Sequence, residues 1–146
     1  MSFMAIAYRK RTRKELRRAV EWARQIMSLD SWCVGIDFDA GGKNKIDPNT
    51  CAVCARQSGS QAALIIIDLK RCEEDDSDPL HVVMHEMAHV GLFIEDVVDP
   101  DRIHTVLFEQ AANRFGDVLY LLYVLASGDE VTGRDEIHLT PTAPEN

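Results

Sequence analysis

Apolar residues recur at helical spacing early in the chain. Leu16, Ala19, Val20, Ala23 and Met27 follow one another on one face, with arginines and lysines between them. Thr12 and Glu15 form a capping-box signature, so the pattern predicts an amphipathic helix over 12–28, ended by Asp30-Ser31. The period then shifts to two. Trp32, Val34, Ile36 and Phe38 alternate with Cys33, Gly35 and Asp37, predicting a strand over 32–38 with one buried face. A turn at 40–44 leads to a second strand over 50–57. Ser58-Gly59-Ser60 turns the chain into a third, over 63–69, whose Ala-Leu-Ile-Ile-Ile run is apolar on both faces.

Two helices follow. The acidic run Glu73 to Asp78 precedes Pro79, which suits the first helical position, with Asp78 as its cap. The helix predicted over 79–94 is apolar almost all round and is therefore expected to be buried. Asp99-Pro100 repeats the cap-and-proline start, and a long helix runs over 100–126 to Ser127-Gly128. The order helix, three strands, helix, helix predicts an α+β domain with helices stacked on a small three-stranded sheet.

The chain has 146 residues, 46% hydrophobic and 27% charged. That predicts one domain with its own core. Its expected bounds are 1–128, with a basic segment at 1–18 and a flexible tail at 129–146. No apolar run approaches the roughly 20 residues of a membrane helix. The first residues do not read as a secretory signal, so a cytoplasmic protein without membrane association is expected. Charge is uneven. Residues 1–24 carry +6, leaving −14 for the rest of a chain whose net charge is −8. A basic arm can touch nucleic acid; a solvated helix face is the more economical reading, and the acidic body would repel phosphates. The four cysteines are expected to be reduced. Cys51 and Cys54 make a single C-x-x-C pair, whereas a closed thiolate zinc site needs two, so buried or incidental thiols are expected.

The chemistry lies in His85-Glu86-Met87-Ala88-His89, an H-E-x-x-H motif on the buried helix. Positions i and i+4 share a helix face about 5–6 Å apart at Cβ, close enough for two imidazoles to grip one ion. Glu86, rotated from that face, flanks the ion and can take a proton from its water. Such polar groups on an apolar helix are costly without partners, and a metal supplies one. An open catalytic zinc site takes a third protein ligand. The candidates are Glu95, Asp96, His104 and Glu109. Glu109 is favoured, because it stands two turns into the next helix in a polar stripe with Thr105 and Asn113. His81 is a candidate supporting partner or an exposed first-turn residue. Tyr120 and Tyr123 are candidate oxyanion donors or core tyrosines.

This arrangement resembles the gluzincins, whose zinc is held by H-E-x-x-H and a downstream helical glutamate. More narrowly, Phe108-Glu109-Gln110-Ala111-Ala112-Asn113-Arg114-Phe115 is similar to the E-x-x-A-N-x-F-A segment of the ImmA/IrrE family, small zinc peptidases of phages and mobile elements that include repressor-cleaving members. Gly116 stands where that family has alanine, the family's leucine-proline after the second helix is missing, and no helix-turn-helix module is visible. The resemblance, over about residues 60–120, implies a minimal zincin-like fold, His85, His89 and Glu109 as zinc ligands and Glu86 as base. It also implies that the strand over 63–69 is an open edge for a peptide substrate. The expected function is hydrolysis of a peptide bond in a protein substrate, a regulator among the candidates. The alternatives are a zincin-fold metal-binding or interaction protein without turnover, and a nucleic-acid-associated protein acting through the basic arm.

Overall fold

A computed structural model describes residues 6–38, 49–56, 60–92 and 102–128; the side chains of 102–105 and 108 are not among those described. The chain is α+β. Its elements are α1 (Arg13–Ile26), β1 (Cys33–Asp37), β2 (Ala52–Arg56), β3 (Ala62–Ile67), α2 (Leu69–Glu74), α3 (Pro79–Leu92) and α4 (Arg102–Ser127).

The local signals act as expected at α1. The Thr12 hydroxyl accepts from the Glu15 amide at 3.1 Å, and the Thr12 amide donates to Glu15 Oε2 at 2.9 Å. Leu16, Ala19, Val20 and Ala23 form its buried face. The chain leaves the helix through Ser28, at φ 56°.

The place of the third strand in the sheet differs from the expectation. The sheet runs β1-β3-β2, with β1 parallel to β3 (Cys33 opposite Ala62) and β2 antiparallel to it (Ala52 opposite Ile67). The third strand is thus central, not the open edge. Its Ala63, Ile65, Ile66 and Ile67 are buried, as two-sided coverage demands. The edge strand packed beside α3 is β2.

One element was not foreseen. Leu69–Glu74 forms a short helix capped by Asp68, whose Oδ1 accepts from the Arg71 amide at 3.1 Å. Glu73 and Glu74 therefore end α2 instead of leading into α3. The chain turns through Asp76, at φ 51°, before α3 begins.

Asp78 caps α3, accepting from the Leu80 amide at 3.0 Å, and it does more. It is fully buried. Arg11 grips it through Nε at 3.0 Å and Nη2 at 2.8 Å, and the Tyr120 hydroxyl donates to it at 3.0 Å. Arg11, which reads as part of a solvated basic segment, is a core residue. The main core lies where α3 packs on α4, α1, β2 and β3, built on Leu16, Ile65, Ile67, Met84, Met87 and Leu119. Among the described residues, no helix is long and apolar enough to cross a membrane.

Candidate metal centre

The helical period places His81, His85 and His89 on one face of α3. That face meets α4 closely, because Gly116 presents only hydrogen toward the His85 backbone: a β-carbon there would lie 2.8 Å from the His85 Cα. The close approach brings Glu109 to the two histidines. His85 Nε2 lies 2.9 Å from Glu109 Oε1, His89 Nε2 lies 3.2 Å from Glu109 Oε2, and the two Nε2 atoms are 3.1 Å apart.

These three separations test whether the group suits a metal. Ligand atoms about 2.0–2.1 Å from a tetrahedral ion stand about 3.3 Å from one another. The observed triangle is close to that size. His85, His89 and Glu109 can hold a metal ion, and among the described residues they form the only group of three His, Cys, Asp or Glu side chains so placed. The two histidines hydrogen-bond the Glu109 carboxylate and hold it well below the usual carboxylate range.

Glu86 stands apart from the triangle. It is 7% exposed, and the Cys54 backbone N–H of β2 donates to its carboxylate. Burial pushes its carboxyl above the ordinary value, against the pull of His85 and His89. It therefore takes up a proton more readily than a surface glutamate, the property a general base and acid requires.

His85, Glu86, Glu109 and Asn113 share the wall of a cavity of about 410 Å³ with the segment Asn49 to Ala52 and with His81. His81 is not an exposed first-turn residue. Its Nε2 pairs with Asp117 Oδ1 at 2.5 Å, and its ring packs edge-on to Tyr120 with 5.2 Å between centroids. Tyr120 is fully buried and its hydroxyl is committed to Asp78, so it is a core tyrosine and not an oxyanion donor. Tyr123 packs edge-on against Trp22 at 5.2 Å.

Of the other ligand candidates, Glu95 and Asp96 lie outside the described residues. His104 lies on α4, its side chain not described. Cys51 and Cys54 join different apolar clusters, as strand positions three apart should. Cys51 donates to Asp75 Oδ2 at 3.2 Å. Sequence reasoning missed the Cys54 N–H on Glu86, the 49–52 wall and Asp117. Only Asp117 left a signal, two helical turns after Glu109.

Comparison with protein families, curated proteins and solved structures finds no match to this chain.

Proposed function

We propose that this chain is a zinc-dependent endopeptidase acting on an extended protein segment, with His85, His89 and Glu109 holding zinc and Glu86 as general base. The observation that carries the reading is the three-atom triangle with a buried, proton-seeking glutamate one residue from its first corner. Two imidazoles and one carboxylate with a further position open to a cavity are the donor set of a catalytic zinc site. Zinc bound there supplies a polarising charge and lowers the pKa of water toward about 7.

The chain's own groups do the rest. Glu86 accepts a proton from water at its carboxylate and passes it to the departing amide nitrogen. Its contact with Cys54 keeps that carboxylate against β2. The Cys51 carbonyl binds the Asp68 amide on the β3 side at 2.8 Å. By alternation, Ala52 then turns its peptide N–H and C=O to the open side of β2, and Cys54, whose N–H is on Glu86, turns its C=O there. An extended substrate can join that edge and lie across the cavity mouth.

The test is zinc-loaded protein incubated with an unfolded protein such as reduced, alkylated casein. Cleavage is expected with zinc and none after chelation. A chain that binds no zinc, or that binds it and cleaves neither casein nor any member of a random peptide library, overturns the reading.

A further inference from the structure

The Asn113 side chain lines the same cavity as His85, Glu86 and Glu109, one helical turn beyond Glu109 on α4. It is only 8% exposed, and among the described residues its carboxamide has no hydrogen-bond partner. A carboxamide without a protein partner on a cavity wall is available to a bound molecule. Its polar neighbours are already engaged: Glu109 with the two histidines, Asp117 with His81, Tyr120 with Asp78.

A carboxamide carries two N–H donors and a carbonyl acceptor. Beside it, Glu86 and Glu109 offer acceptors, so what Asn113 adds to the site is donors. Its position is also fixed. Gly116, three residues on, seats the backbone of α4 against His85, which holds this turn of the helix at a set distance from the triangle.

We propose that Asn113 is a further catalytic residue, donating its N–H to the oxygen of the scissile carbonyl as that oxygen gains negative charge. This rests on the peptidase reading above. Water adds its oxygen to the carbonyl carbon, Glu86 carries a water proton to the departing nitrogen, and the C–N bond breaks. Asn113 exchanges no proton; its N–H is oriented in advance, which is what makes such donors effective.

The test compares the zinc-loaded wild type with Asn113→Leu, which keeps the branched shape without the polar atoms, and Asn113→Ala, which adds no bulk. Three quantities are read: zinc per chain, melting temperature, and affinity for acetohydroxamate, a small anion that presents oxygens to zinc. Both variants are expected to keep wild-type zinc. At least one is expected to melt no lower than wild type, since a polar group without a protein partner is being removed. That variant is expected to bind acetohydroxamate at least tenfold more weakly. Equal affinity in wild type and variants, including no binding by any, overturns the proposal. So does a melting temperature several degrees lower in both variants, which marks Asn113 as a structural hydrogen-bonding residue. A wild type that takes up no zinc instead sinks the peptidase reading itself, and that result is distinct from either.

Discussion

Gly116 lies flat against His85. A β-carbon built on the glycine would come within 2.8 Å of the His85 Cα and 3.1 Å of its amide nitrogen. Both atoms belong to helix backbone, so neither can swing aside. Gly116→Ala gains up to about 1 kcal/mol of helix propensity, but overpacking costs about 1–3 kcal/mol. The steric term wins because α3 and α4 must separate. A melting temperature lower by roughly 2–8 °C is expected, with weaker zinc binding because the same separation carries Glu109 away from the histidines. Thermal melts with and without zinc check both; an unchanged zinc affinity would show that the helix spacing does not set the site.

Removing Glu109 should be more severe for the metal and milder for the fold. Loss of a group that merely supports a ligand weakens metal binding about 10–100-fold, and loss of the ligand is expected to exceed that. Glu109 is half exposed, so its own packing contributes little. Glu109→Ala should fall below one zinc per chain and lose the chelator-sensitive part of its melting, while His104→Ala keeps both. Wild-type zinc content in Glu109→Ala alongside loss in His104→Ala would reassign the third ligand.

Glu86→Gln separates binding from chemistry. Glutamine preserves the shape and still accepts from the Cys54 N–H, but it cannot carry a proton. Zinc content is expected to match wild type and casein cleavage to fall at least 100-fold. Retained cleavage would remove Glu86 from the mechanism.

Asp78 is where stability concentrates. Asp78→Ala leaves the Arg11 guanidinium buried without its carboxylate and strands the Tyr120 hydroxyl, a loss of about 3–5 kcal/mol. Replacing both members, Arg11→Met with Asp78→Leu, should recover much of it, because two desolvated charges leave together. Urea unfolding of the single and double variants measures the difference. A double variant as unstable as Asp78→Ala would mean that the Tyr120 bond and the helix cap outweigh the ion pair.

Thiol chemistry should follow burial. The Cys51 thiol is pushed up to about 11 by burial and by Asp75, and burial drives Cys72 higher still. A raised pKa leaves the thiol protonated at neutral pH, and only the thiolate attacks. At pH 8 iodoacetamide should label exposed Cys33 first and the protonated Cys51 much more slowly. The Cys51 rate should climb as pH rises toward about 11. Peptide mapping over time settles the order.

What could be read from the sequence was local. The pairing of His85 with His89 on one helix face, the Thr12 box and the Pro79 start each depend on residues within one or two helical turns, and the structure has all three. Glu109 was accessible for a related reason: a short link between two helices makes them antiparallel neighbours. Strand order was not accessible, because alternation identifies a strand without naming its partners, and β3 reads the same at an edge or a centre. The burial of Arg11 was equally hidden, since its carboxylate stands 67 positions away. Leu69–Glu74 is too short to show a period, and its acids resembled a preface to α3. His81 looked like a surface residue because Asp117, its partner, lies 36 positions on.

The Arg11–Asp78–Tyr120 junction also sets an order of assembly. At about 5–20 residues per second, a ribosome adds Tyr120 roughly 5–20 s after Arg11. Once His89 has been made, the nascent chain carries an arginine and an aspartate destined for the interior and the first two corners of the metal triangle. The third corner and the closing tyrosine both arrive on α4. The centre is thus completed only when α4 has been made, and a chain interrupted before α4 holds two histidines with no site between them.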